Sequence, residues 1–312
     1  MDAIPPPFNR RQFLGALATT TVAAAIRAAD PSTAMHNIAC NTYPWDMFYR
    51  RDGRTFGQNL VADLAAVAAC GIHRIEPNLE SVAMVDRYAD ALSPAGLTMP
   101  SIYVNSVLHE ADAVETSIHD VVTIATRARA RADTTIVVTN PRPISWGGPE
   151  NKSNEEILRQ GDALNRLGAA LRAEGLTLAY HNHDSELRLG ARELHHMLAS
   201  TDAELVKFCF DPHWTFRGCD NSELAVFDIL TLYAERIVEL HLRQSTHGVW
   251  DEAFAATGDI DYSRLLASLT SREIHPLITL EQAVEDGSPH SLDAATAHAR
   301  SVQALGAMLN PS

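Results

Sequence analysis

The sequence predicts a single-domain α/β protein folded as a (β/α)8 (TIM) barrel over residues 30–312, on three observations. Eight short apolar runs alternate with longer amphipathic stretches, the number and spacing such a barrel needs. No linker, low-complexity tract or charge block interrupts them. The first run leads into Thr42-Tyr43-Pro44-Trp45, not into the Gly-rich turn that would open a doubly wound sheet, the competing architecture. With 46% hydrophobic residues, the 312-residue chain can build one large core.

The first candidate strand is HNIACNTY, 36–43. Leu60, Leu64 and Val67 then mark one face of a helix that stops at Gly71. Strands follow at 71–78 (GIHRIEPN), 97–105 (LTMPSIYVN) and 134–140 (TTIVVTN), short apolar runs bounded by Gly, Pro or Asn. Ser153 and Glu156 form a capping box that opens a helix through Leu158, Leu164, Leu167 and Leu171, and Gly175 closes it. The fifth strand, LTLAYHNH at 176–183, turns abruptly from apolar to polar. VKFCFD (206–211), IVELHLRQ (237–244) and HPLITLEQ (275–282) complete the eight, with amphipathic helices at about 223–236 and about 291–309.

Residues 1–29 predict a cleaved leader. Arg10 and Arg11 precede Phe13 and Leu14, then an Ala- and Thr-rich run reaches Ile26, with small residues for cleavage around Ala25 to Ala29. Paired arginines before Phe-Leu fit a twin-arginine (Tat) signal, with a Sec signal or an uncleaved anchor as the alternatives. The expectation is a protein exported folded by the Tat machinery to the periplasm or another extracytoplasmic space. The apolar run is too short for a comfortable span, so no stable membrane segment is expected in the mature chain.

A formal net charge of −14 repels phosphate backbones and disfavours nucleic acid as a partner. Only Lys152 and Lys207 are available for Schiff-base chemistry, and Lys207 stands at the wrong end of its strand for a barrel active site. Cys40, Cys70, Cys209 and Cys219 form no CxxC pair and read as free thiols. The sequence leaves homo-oligomerisation open.

Barrel enzymes keep their chemistry at the C-terminal ends of the strands. Those ends carry Glu76, Asn105, Asn140, His181 with His183, Asp211 with His213 and Trp214, His241 with Arg243 and Gln244, and Glu281. Asp211 and Glu281 each follow an apolar strand, so an ionised carboxylate there needs a partner, either a salt bridge or a metal. His181, Asp211, His241 and Glu281 come from four consecutive strands at one level. Two imidazoles and two carboxylates suit Mn, Co, Zn or Fe better than Mg, which wants more oxygen.

The chain resembles the sugar phosphate isomerase/epimerase family, the xylose isomerase-like TIM barrels. The resemblance covers residues 36–309 and is carried by YHNHDSE (180–186), FDPHWTFRGCD (210–220), HLRQS (241–245), TGDIDY (257–262) and LITLEQ (277–282). It implies the fifth-strand residue, Asp211, His241 and Glu281 as metal ligands. The chain departs from the epimerases of that family, which carry a glutamate where His181 stands, and which use two ligand glutamates as acid and base. Glu281 remains as one base. His183, on the same face of its strand, is the candidate second proton carrier, oriented by Glu186 or Asp184. His181 and His183 can also exchange roles.

The resemblance implies a metal-dependent isomerase or epimerase that acts through an enediolate on a small-molecule free sugar or keto-sugar. A dehydratase or 3-keto-glycoside lyase using the same site is the alternative, and a non-catalytic sugar-binding protein a more remote one. Export argues against a phosphorylated sugar. Glu76, Asn105, His213, Trp214 and Arg243 are the candidate substrate contacts. Arg243 serves either an anionic group or a carboxylate partner. Trp45, Trp214 and Trp250 are the rings placed to stack on a sugar.

Overall fold

A computed structural model describes residues 38–310. The expected leader, 1–29, lies outside them. The barrel strands are β1 (Ile38–Asn41), β2 (Arg74–Glu76), β3 (Ser101–Tyr103), β4 (Ile136–Thr139), β5 (Thr177–His181), β6 (Val206–Phe210), β7 (Ile237–Leu242) and β10 (Leu277–Leu280). They pair in the order β2-β1-β10-β7-β6-β5-β4-β3, every pair parallel. Between β2 and β3 the ring is completed by parallel bridges Arg74–Thr98 and Asn78–Tyr103. This is the (β/α)8 architecture that the alternating sequence pattern implies.

The strands are shorter than their apolar runs. Pro77 ends β2 and Pro100 precedes β3, and neither residue has an N–H to give the ladder. A small antiparallel hairpin, β8 (Ser245–Thr246) and β9 (Val249–Trp250), follows β7 and has no counterpart in the expected pattern. Its two-residue turn is His247-Gly248, with φ of 55° and 80°, the positive pair that a type I′ turn requires.

The helices are α1 (Tyr43–Arg51), α2 (Leu60–Ala69), α3 (Val82–Ala95), α4 (Val114–Ala132), α5 (Asn154–Ala173), α6 (Arg188–Ser200), α7 (Pro212–Gly218), α8 (Glu223–Tyr233), α9 (Tyr262–Ser271) and α10 (Ala294–Leu309). The Ser153–Glu156 capping box opens α5. The buried face of α5 uses Ile157, Leu164, Leu167 and Leu171, while Leu158 is exposed. Gly168 lets α5 approach the loop before β6 closely, since a Cβ there would lie 2.3 Å from the Leu205 carbonyl oxygen. Among the described residues, no helix is long and apolar enough to cross a membrane.

Most of the apolar core lies where outward-facing strand residues such as Leu178, Tyr180, Phe208 and Leu240 meet the helices. Inside the ring, Tyr103, Val138, Ala179 and Cys209 form a smaller apolar cluster. Because side chains alternate along each strand, the next inward-facing positions above are His181 after Ala179, Asp211 after Cys209, His241 after Glu239 and Glu281 after Thr279, a level that is polar on all four strands.

Candidate metal centre

The alternation brings His181, Asp211, His241 and Glu281 together from four adjacent strands. One donor atom from each lies within 4.8 Å of all the others, and all four residues are buried. Several of these atoms have no hydrogen-bond partner: both ring nitrogens of His181 and of His241, and Oδ2 of Asp211. Oδ1 of Asp211 is engaged, accepting the Trp214 amide at 2.8 Å. Oδ2 stands 3.8 Å from Nε2 of His181. His241 Nδ1 faces Glu281 Oε2 at 3.3 Å, without hydrogen-bond alignment. Unpartnered buried donors are costly, and a cation among them would satisfy them. The set fits a divalent ion with two nitrogen and two oxygen ligands.

The electrostatics agree with that fit at His181 and Glu281, while His241 and Asp211 would have to release protons to an incoming ion. Burial, reinforced by His241 and His183, pushes the His181 pKa well below its ordinary value and leaves the ring neutral, the form that ligates. Burial raises the Asp211 carboxyl to about 6 against the pull of Arg243. Burial also opposes ionisation of Glu281, yet Arg243 and then His241 hold its carboxyl well below the usual range. For His241, burial acts downward, and Cys209, Glu76 and Glu281 act upward and win. The Cys209 contribution would require a thiolate, which burial opposes, so the two carboxylates are the physical cause.

Beneath the four donors lies a second buried layer. Glu76 accepts from Asn41 Nδ2 at 2.6 Å and from Ser101 Oγ at 2.9 Å, and its Oε1 lies 3.0 Å from His241 Nε2. Glu239 lies 2.8 Å from the same Ser101 Oγ and accepts from Thr279 Oγ1 at 2.5 Å. A hydroxyl has one proton and here bridges two carboxyl groups, so one of them carries its own. Glu239 is the one that burial and Glu76 push up, to about 7. Glu76 was expected to touch substrate. It is instead fully buried behind His241, where it can fix which imidazole nitrogen faces the site.

A cavity of about 580 Å³ opens above the centre. Of the expected substrate contacts, Asn105, Trp214 and Arg243 line it, as do the expected catalytic residues His183 and Glu281. Arg243 donates from Nη2 to Glu281 Oε2 at 2.8 Å and from Nε to the Glu281 carbonyl at 2.9 Å. Its guanidinium lies 4.1 Å from the Trp250 ring centroid and 5.1 Å from that of Trp214, and Nη1 has no partner. So the carboxylate partner is present, and one donor is left over.

His183 packs at the rim with its ring centroid 4.7 Å from that of His181, and its Nδ1 is unpartnered. Burial depresses it to about 4. Glu186 does not orient this ring. It is fully buried and accepts from the His183 backbone N–H at 2.7 Å and from Asn140 Nδ2 at 3.4 Å, so it holds the loop. Asp184 accepts from Arg188, whose Nη1 donates to the Gly148 carbonyl at 2.7 Å and so ties the loop after β4 to the loop after β5. Asn182 clamps the Asp211 backbone from both sides: Oδ1 accepts its N–H and Nδ2 donates to its carbonyl, each at 3.1 Å.

Other expectations are corrected. His213 is buried against Trp250 and contacts Ser245 Oγ at 2.9 Å, away from the cavity. Trp45 is buried in α1 and stacks on His298 with centroids 4.5 Å apart. Trp250 is buried behind Arg243. The cavity wall also includes Tyr43, Asn78 and Trp146, which no motif singled out. Asn78 follows the second strand and Trp146 lies in the loop after the fourth, so position past a strand end was the available signal.

The xylose isomerase-like TIM barrel family matches this chain over residues 64–305. Two curated inosose dehydratases of Clostridium perfringens are 29% identical to it over 92 residues, a match that spans 29% of this chain and 29% of theirs. Among solved structures, a sugar phosphate isomerase/epimerase from Parabacteroides distasonis superposes with a TM-score of 0.65 at 16% identity, covering 88% of this chain and 95% of that one. A xylose isomerase-like TIM barrel protein from Mycobacterium smegmatis in complex with magnesium gives 0.64 at 14% identity, covering 87% and 96%. The IOLI protein with a bound zinc atom gives 0.62 at 11%, covering 88% and 99%.

Proposed function

The chain belongs to the xylose isomerase-like TIM barrel family, and from that premise we propose that it is a divalent-metal-dependent isomerase or epimerase of a free sugar or keto-sugar. The observation that carries this reading is the convergence of four buried donors, several of them unpartnered, at the floor of a cavity lined by tryptophan and arginine. His181, Asp211, His241 and Glu281 would hold the ion, with Mn, Co, Zn or Fe suited to the donor set. A divalent ion there would polarise a carbonyl and acidify the adjacent C–H.

The remaining steps fall to side chains. His183 is the stronger candidate for moving the proton, because its ring lines the cavity, is neutral and has a free Nδ1. Glu281 is the weaker base, since Oε2 is held by Arg243. The unpartnered Nη1 of Arg243 can bind a substrate oxygen, and Trp214 offers a ring face beside it. Returning the proton to a different carbon, or to the other face of the same carbon, gives isomerisation or epimerisation. Loss of a β-leaving group from the same enediolate gives a dehydratase or glycoside lyase. His181 in place of a second acid–base glutamate, and the partial match to inosose dehydratases, both favour keeping this second outcome.

Incubation of manganese-loaded protein with free sugars, keto-sugars and keto-glycosides in deuterated water tests the reading. Deuterium alpha to the carbonyl with all leaving groups retained supports the isomerase or epimerase. Elimination products support the lyase. Neither, across the panel, overturns both. The proposal extends to location: Arg10-Arg11 and the run after them would export the folded protein through the Tat machinery. Retention in the cytoplasm of a strain expressing the whole chain would refute that part.

A further inference from the structure

A second groove, of about 630 Å³, adjoins the cavity over the metal centre and shares Asn105 and Trp146 with it. Small-molecule sites take roughly 300–1,000 Å³, so each compartment is large enough for a ligand group of its own. The groove runs between the ends of β3 and β4 on one side and the first turns of α4 on the other. Its chemistry suits a sugar ring. The Trp146 indole is 52% exposed on the shared wall, Asn105 is an exposed amide beside it, and Thr116, Asp120 and Arg142 supply hydroxyl, carboxylate and guanidinium groups around an apolar floor at Leu79. An aromatic face for the C–H side of a pyranose, ringed by groups that pair with hydroxyls, is what a neutral carbohydrate needs.

The placement of Trp146 is built. Gly147 takes φ +70° directly after it, Ser145 donates to Glu150 at 2.5 Å across the turn, and Arg188 holds the Gly148 carbonyl from the loop after β5. The loop is thereby held, and the indole stands nearly perpendicular to the His183 ring, centroids 5.1 Å apart, where one molecule spanning both compartments must pass it.

We propose that the groove is a second sugar subsite, and that the substrate is a keto-disaccharide or keto-glycoside whose distal ring packs on Trp146 while its keto-sugar lies over the metal centre. This rests on the function proposed above. Calorimetric titration of the manganese-loaded full chain with the ketohexoses fructose and tagatose, and with the keto-disaccharides lactulose, turanose and isomaltulose, tests it. At least one disaccharide is expected to bind 10-fold or more tightly than either monosaccharide. Thr116→Trp, which fills the groove from α4, is expected to bring that ratio close to one, and Asp120→Arg serves the same purpose if the first variant does not fold. Monosaccharides that bind as well as every disaccharide would overturn the subsite and leave the enzyme reading standing. A disaccharide preference that survives the filled groove would also overturn it. No binding by any probe would overturn the subsite together with the reading beneath it.

Discussion

At the level of single residues, two histidines of one motif, two positions apart, separate by role. His181 lies among the four converging donors and His183 at the cavity rim. His181→Gln is therefore expected to lose the metal. His183→Gln is expected to keep it while turnover falls by about 10²–10⁴-fold, the range for loss of a general acid–base group. Metal content by plasma emission spectroscopy beside turnover on the identified substrate checks both, and metal loss in the His183 variant would reverse the assignment. Glu76→Gln keeps the shape beneath His241 and removes the charge facing Nε2. Manganese affinity by calorimetry is expected to fall by about 10–100-fold, as for other groups that orient a ligand histidine. The four donors were legible in the sequence because each stands at a strand end and interrupts an apolar run with a group that burial penalises. Glu76 obeys the same rule and was misplaced, since a strand end tells that a side chain points inward but not its height along the barrel axis. Trp146 was illegible because a loop has no period from which direction can be read.

Elements were readable wherever a period or a cap was present. The alternating apolar runs and the Ser153–Glu156 box recur in the structure, while strand ends shifted where prolines withhold their N–H. The hairpin at 245–250 escaped because each of its strands has two residues, too few to show alternation, and only His247-Gly248 marks it. Close approach between elements leaves equally little trace. Gly168 reads as a weak point in a helix, and Ala there would improve helix propensity by up to about 1 kcal/mol. Its Cβ would meet a backbone oxygen at 2.3 Å, though, and a carbonyl fixed by its loop cannot yield as a side chain would. Overpacking of about 1–3 kcal/mol should prevail, so Gly168→Ala is expected to lower the thermal midpoint. A raised midpoint would show that the loop at Leu205 relaxes freely.

Across the whole molecule, the first and last strand–helix units are tied by Glu252. Its carboxylate accepts from Arg51 Nη1 at 2.9 Å, from the Ser291 hydroxyl at 2.6 Å, and from the backbone N–H groups of Ser291 and Leu292 at 3.0 Å. Burial would raise its pKa, but these bonds, led by the Ser291 hydroxyl, outweigh it and lower the pKa from 4.5 to about 2. A depressed carboxyl stabilises the fold above its unfolded pKa and loses that contribution as pH falls through the folded one. Thermal midpoints measured between pH 4.5 and pH 2 should therefore drop less steeply for Glu252→Gln than for the parent, whose slope is the larger by this carboxyl's share. The clamp of Asn182 on the Asp211 backbone has a different consequence. Two of the donors are spaced by amide hydrogen bonds that owe nothing to an ion, so an ion would arrive at a finished receptacle instead of assembling one. Folding and metal uptake should then be separable events. Chelation with EDTA is expected to lower the melting temperature yet leave far-UV and near-UV dichroism intact, whereas a chain folded by its metal would lose both signals with the ion.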